Sequence, residues 1–187
     1  MAEKRSRTPR KPRPLGPAKL EELALAYVAR FATSAAKVES YLVRKLRERG
    51  WEGEQPPQPA AIVERFVEMG YIDDEAYARA KSGGLLRRGY GPRRVAQALG
   101  AAGITEEIRE EVRAGEAEER RAAVAFAERR RFGPWSREGG AGVDRDQRQK
   151  QFAAMLRAGH GLEAARAVID ARTIAAAEEW AAEPENP

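Results

Sequence analysis

Arg87-Arg88-Gly89-Tyr90-Gly91-Pro92-Arg93-Arg94-Val95 sits near the middle of this 187-residue chain, and its punctuation decides the fold. A helix arriving at Arg88 has to stop at two glycines. Pro92, with no amide to donate and φ already fixed, suits the first position of a new helix. Upstream, Asp73 reads as a helix cap, with Asp74 and Glu75 in the first turn complementing the positive helix end. Downstream, Val95, Ala98, Leu99 and Ala102 form an apolar stripe that ends at Gly103, and Thr105 opens a short helix carrying Ile108 and Val112.

The same grammar extends both ways. Leu23, Tyr27, Val28 and Phe31 make one helical stripe, and Val38, Tyr41, Leu42 and Leu46, behind Ser34 as a cap, make another that stops at Gly50. Pro56, Pro57 and Pro59 mark a loop before a helix with Ile62, Val63, Phe66 and Val67 that ends at Gly70. On the far side, a helix over about 116–131 stops before Gly133-Pro134. A glycine-rich loop at 138–143 follows, then a helix with Phe152, Met155 and Leu156 closing at Gly159, and one with Leu162, Ala165, Val168 and Ile169. No segment alternates with period two, so the chain is expected to be all-α.

The pattern repeats. Val38-Tyr41-Leu42, Val95-Ala98-Leu99 and Phe152-Met155-Leu156 share one i, i+3, i+4 geometry at a spacing of 57 residues, each on a helix ending in glycine before Trp51, Ile104 or His160. The expectation is three tandem three-helix repeats stacked into an elongated, curved array, since units this small must bury surface against neighbours. The boundaries are 20–72, 73–115 and 116–175. A basic, proline-rich disordered tail over 1–19 precedes them and an acidic C-terminal tail over 176–187 follows.

Composition narrows function mostly by exclusion. The chain holds 34 Lys and Arg against 29 Asp and Glu, but seven of the basic groups fall within residues 1–19 beside the single acid Glu3, so the body is nearly neutral. Without cysteine there is no disulfide scaffold, thiolate zinc site or cysteine nucleophile, and a reducing, cytoplasmic compartment fits. No run approaches the length of a membrane span, and the N-terminus lacks the apolar core of a secretory signal. The one histidine, His160, lies between two glycines and reads as a turn residue whose ring covers a helix end. Asp73, Asp74 and Glu75 are explained by capping rather than by metal binding. Gly89-x-Gly91 lacks the Lys-Ser/Thr and the preceding strand of a phosphate loop. No enzyme, cofactor, metal site or small-molecule substrate is expected.

Positive charge remains, and it recurs at each junction of first and second helix. Six basic residues meet two acids over 30–49, six meet none over 79–94, and seven meet three over 129–150. Arg44, Lys45, Arg87, Arg88, Arg93, Arg94, Arg130 and Arg131 are therefore the candidate contacts, suited to a polyanion or to an acidic protein groove. Phe31, Tyr90, Phe132 and Trp135 lie at the same junctions, where they either seal helix packing or stack on bases.

These residues carry a resemblance. Ala24 to Ser34, the block Gly70-Tyr71-Ile72-Asp73-Asp74-Glu75-Ala76-Tyr77-Ala78-Arg79, Arg88 to Val95 and the Gly103-Ile104 stop resemble the RecX regulatory proteins of bacterial recombination over about residues 20–172. The insertion at 138–143 and the longer second helix of the first repeat depart from that pattern. The resemblance implies tandem three-helix repeats and a non-enzymatic role. That role is to bind the RecA recombinase and its filament on single-stranded DNA, restraining filament extension, ATP hydrolysis and strand exchange in DNA repair, recombination and the SOS response. The alternative is a single-stranded nucleic-acid-binding protein that acts without RecA.

Overall fold

The computed structural model describes residues 13–137 and 144–184, so the expectations for residues 1–12 and for the insertion at 138–143 lie outside the described residues. Among the described residues the chain is helical with no β-strand: α1 (Pro17–Arg30), α2 (Ala35–Arg49), α3 (Pro59–Glu68), α4 (Asp74–Arg87), α5 (Pro92–Gly100), α6 (Glu106–Glu111), α7 (Glu116–Arg130), α8 (Arg145–Arg157), α9 (Leu162–Ile169) and α10 (Ile174–Ala182), with a 3₁₀ turn at Gly133–Trp135. The helices recur in threes as the sequence predicts, and the chain divides into two compact units, residues 1–73 and 74–187.

In the first unit, α1, α2 and α3 enclose Leu20, Ala24, Val38, Leu42, Val63, Phe66 and Ile72. Ser34 occupies the α2 cap position, its carbonyl accepting from the Lys37 and Val38 amides at 3.1 Å each. Tyr27 of α1 stacks on Tyr41 of α2 with ring centroids 4.4 Å apart. Leu15 joins this core with no solvent exposure, which corrects the expectation of a disordered tail through residue 19. Its amide donates to the Gly50 carbonyl and its carbonyl accepts from the Glu52 amide, both at 3.0 Å, so residues 14–16 run beside Trp51 as a single β-bridge. One buried leucine thus ties the N-terminal segment down. Leu15→Ala is expected to cost about 2–5 kcal/mol, read as faster hydrogen exchange of the α2 amides in the full chain. Exchange unchanged from the parent would show that the bridge bears no load.

In the second unit, α7 serves two cores. Ala122 packs with Ala78, Leu85, Leu86, Val95, Leu99 and Ile104 of the middle triplet. Ala123 and Ala127 pack with Met155, Ala165, Val168 and Ile169 of the last. Alanine is small enough to let α4 on one side and α9 and α10 on the other approach the same helix. Helix α10 corrects the expected acidic tail: it starts within three residues of the predicted boundary, Thr173 Oγ1 caps it by accepting from the Ala176 amide at 3.1 Å, and Ala177 and Ala181 are buried. Arg120 of α7 holds it in place, donating to the Trp180 and Glu183 carbonyls at 3.4 and 3.3 Å while lying over the Trp180 ring.

Helix ends set the true register of the repeat. Gly89, Gly103 and Gly159 have φ of 79°, 73° and 98°, and each is followed by an amide that reaches back five residues: Tyr90 to Leu85, Ile104 to Leu99 and His160 to Met155, at 3.1, 3.1 and 3.2 Å. This is the left-handed C-terminal cap that satisfies orphan carbonyls. Leu99 and Met155 are therefore equivalent, 56 residues apart, and the expected alignment of Phe152 with Val95 is one residue out. Met155 accordingly has no exposure while Phe152 and Leu156 are half-buried. Arg131 makes the corresponding turn at the end of α7 without glycine, at φ 57°. Gly50 does not: its amide bonds the Leu46 carbonyl at 2.8 Å and the chain leaves extended into the bridge with Leu15.

Candidate interaction surface

The turn Gly89-Tyr90-Gly91 is the node on which the second unit is assembled. Gly91 has an ordinary φ of −80°, yet a Cβ built on it would lie 2.4 Å from the Gly159 carbonyl carbon and 2.5 Å from the His160 nitrogen. Two backbones meet here without side chains between them. The Gly91 amide donates to the Ala158 carbonyl at 2.9 Å and the Arg93 amide to the Gly159 carbonyl at 3.2 Å. Orphan donors at the start of α5 therefore satisfy orphan acceptors at the end of α8, and helix ends of opposite partial charge abut.

His160 closes the node. It is 1% exposed, its ring lies 5.7 Å from Phe126 of α7, and Nε2 is 2.9 Å from the Gly89 carbonyl oxygen. A carbonyl only accepts, so Nε2 carries the proton and Nδ1 is the bare nitrogen, buried with no hydrogen-bond partner among the described residues. Burial pushes the imidazole pKa below its ordinary value, opposed in part by the Gly89 hydrogen bond. Unfolded histidine titrates near ~6.5. Below that pH the unfolded chain takes a proton that the folded one refuses, so stability present at neutral pH falls progressively until pH passes the lower folded pKa. His160→Gln, which retains a donor for Gly89, is expected to show a shallower fall in urea midpoint between pH 7 and pH 5 than the parent. Parallel slopes would assign the acid sensitivity elsewhere.

Four candidate arginines flank this node, and two more lie at the end of α7. Arg87 and Arg88 leave the end of α4, Arg93 and Arg94 fill the first turn of α5, and Arg130 and Arg131 end α7. All six are exposed, and none forms an ion pair among the described residues. Two further arginines join them that the sequence did not single out as contacts. Arg129 of α7 donates to the Arg88 carbonyl at 2.6 Å, and Arg157 precedes the Ala158-Gly159 end of α8 on which Gly91 and Arg93 are bonded. Only the fold could reveal the second, because 64 residues separate Arg157 from Arg93. Arg93 and Arg94 also sit at the positive end of a helix with no acid in its first turn, where cations are unfavourable. Helices α4, α6 and α7 all begin with acids instead.

Arg44 and Lys45 differ in kind. Both reach Glu48, at 3.7 and 2.6 Å, and both lie over the Tyr41 ring. The Lys45 hydrogen bond, reinforced by both positive charges, holds the Glu48 carboxyl below its usual pKa against the opposing effect of desolvation. Their charge is shared locally. Of the junction aromatics, Phe132 and Trp135 pack on the last core and Tyr90 on the middle one, whereas Phe31 is 49% exposed.

Residues 73–112, which hold Arg87, Arg88, Arg93 and Arg94, match the family described as RecX, second three-helix domain. The regulatory protein RecX of Myxococcus xanthus is 32% identical over 175 residues, covering 89% of this chain and 92% of that protein. The chain belongs to the RecX family. A RecX of Thermus thermophilus is 42% identical over 89 residues, 48% of this chain and 59% of its own. The crystal structure of RecX from Lactobacillus salivarius superposes with a TM-score of 0.63 at 19% identity, covering 81% of this chain and 93% of that one, which shows the shared helical-repeat fold. A second RecX crystal structure gives 0.59 at 20% identity, over 82% and 73%. This RecX chain is thus a regulatory protein by kinship. Among the described residues no group of three or more His, Asp or Glu is placed to hold a metal ion, and no helix is long and apolar enough to cross a membrane.

Proposed function

We propose that this RecX-family chain regulates the RecA recombinase in the cytoplasm by binding RecA and its filament on single-stranded DNA. Binding there restrains filament extension, ATP hydrolysis and strand exchange, and so modulates recombination and repair. It acts by occupancy rather than by catalysis. The observation that carries this reading is the exposed arginine group flanking Gly91, namely Arg87, Arg88, Arg93 and Arg94, together with Arg130 and Arg131 at the end of α7; none of the six forms an ion pair among the described residues. Cations without carboxylate partners have given up local compensation and stand free for an external anion, a DNA phosphate or an acidic filament side chain. Arg44 and Lys45, tied to Glu48, contribute less.

The test measures RecA-driven ATP hydrolysis on single-stranded DNA as the chain is added, across a range of salt concentrations. In parallel, the same DNA is titrated with the chain alone. Inhibition that weakens steeply with salt, alongside feeble binding to bare DNA, is the expected result. Equally tight binding to bare DNA with hydrolysis unaffected would replace the proposal with direct nucleic-acid binding independent of RecA.

A further inference from the structure

Helices α1 and α2 carry a row of aromatic rings closed at both ends by cations. Tyr41 stacks on Tyr27 with ring centroids 4.4 Å apart and 23° between planes, and Tyr27 meets Phe31 at 5.2 Å and 52°. Arg44 and Lys45 lie over the Tyr41 ring at 5.6 and 5.8 Å, and Arg30 lies over the Phe31 ring at 5.5 Å. Packing accounts for the two tyrosines, which are half-buried against the first core. It does not account for Phe31. This residue follows the end of α1, is 49% exposed and lies outside that core, so ring surface is left to water while Tyr27 steadies its plane. Charge beside it is positive on balance. Arg30 forms no ion pair among the described residues, and Arg44 and Lys45 share the single carboxylate of Glu48.

A ring face with cations beside it suits a ligand that is planar and anionic at once. A carboxylate side chain would use the guanidinium and leave the ring bare, and an aliphatic side chain would do the opposite. A nucleotide of a single strand presents an unstacked base beside its phosphate, whereas a duplex hides its base faces. We propose that Phe31 is a stacking platform for one base of single-stranded DNA, extending the row from Tyr41 and Tyr27, with Arg30 and the residual charge of Arg44 and Lys45 drawn to the adjoining phosphates. The inference deepens the proposed function by giving the first unit a base contact of its own, and it rests on that reading for the ligand being DNA rather than RNA. One ring makes a weak site, in keeping with feeble binding of the chain alone to bare DNA.

The probe is a short oligothymidylate, titrated into the full chain and followed by nuclear magnetic resonance. The control is an abasic strand with the same number of phosphates. Saturable amide shifts at Tyr27 and Phe31 and proton contacts between thymine and the Phe31 ring are expected, with a dissociation constant on the order of 0.1 mM. The abasic strand should bind there about tenfold more weakly. Phe31→Leu keeps an apolar contact on Tyr27 but removes the π-face, so binding read at Tyr27 should fall about tenfold while the thermal midpoint stays in place. Phe31→Trp, with a larger face, should tighten it. Equal binding of the abasic strand, no shifts at Phe31, or undiminished binding by the folded leucine variant would each overturn the proposal. So would tighter binding at Phe31 of an oligouridylate or of a blocked Asp-Phe-Asp peptide. The contact is read without RecA, so a thymine on Phe31 combined with unaffected RecA hydrolysis would leave the platform standing and remove only the regulator reading. Inhibition without that contact would do the reverse.

Discussion

Gly91→Ala is expected to lower the stability of the second unit by about 1–3 kcal/mol. The backbone angle at Gly91 suits any residue, so the cost is one of space. The added methyl would press on the Gly159 carbonyl and the His160 nitrogen at 2.4–2.5 Å, and backbone atoms cannot rotate away as a side chain end can. Overpacking of this kind costs roughly 1–3 kcal/mol. Relieving it by separation loses the two amide bonds from Gly91 and Arg93 to α8, about 0.5–1.5 kcal/mol each. Gly84→Ala supplies the control. Gly84 lies inside α4 with nothing within 4 Å of a built Cβ, so that change should raise stability by about 0.5–1 kcal/mol. Urea midpoints of the two variants displaced in the same direction would refute the close-contact account.

The second large effect is functional. Reversing charge at Arg93 and Arg94, to Glu at both, is expected to abolish inhibition of RecA-driven ATP hydrolysis while leaving helicity and thermal midpoint intact or slightly raised. Stability is the informative half. Two cations at the positive end of α5 oppose the helix dipole, and acids there are favourable by about 0.3–1 kcal/mol each. A variant that is at least as stable as its parent yet inactive marks side chains kept for binding rather than for folding. If those arginines touch DNA phosphates, the salt dependence of any residual binding should also fall, by about 1.4 in logarithmic slope for two lost single-strand contacts. Undiminished inhibition by the folded double variant would take Arg93 and Arg94 out of the surface.

Local chemistry made most of the helices legible. Ser34, Pro92 and the stops at Gly89, Gly103 and Gly159 act within a few residues of themselves, and periodicity supplied the faces between them. What escaped the sequence acts over distance or without contrast. Leu15 stands alone among prolines and basic residues, so no stripe announces that it is buried. Helix α10 is alanine-rich, and its buried Ala177 and Ala181 look no different from its exposed alanines. The one-residue slip that makes Met155 rather than Leu156 the counterpart of Leu99 became visible only through the cap, where the His160 amide selects the Met155 carbonyl.

The candidate surface was legible as charge and illegible as geometry. Arg87, Arg88, Arg93 and Arg94 could be singled out because no acid lies near them in sequence, and among the described residues none of them forms an ion pair. Arg44 and Lys45 looked similar, but Glu48 lies one turn away on the same face and absorbs both. The meeting of Gly91 with Gly159 brings Arg157 to the group, and no spacing rule anticipates a contact between residues 68 apart.

Helix α7 is a party wall. Neighbouring alanines, Ala122 and Ala123, face separate rooms, so neither the middle nor the last triplet owns the partition outright. Removing either tenant would strip one side of that helix and weaken the other, and heat should melt both as one cooperative block. Damage at His160, which touches both Gly89 and Phe126, is thereby felt on both sides of the partition.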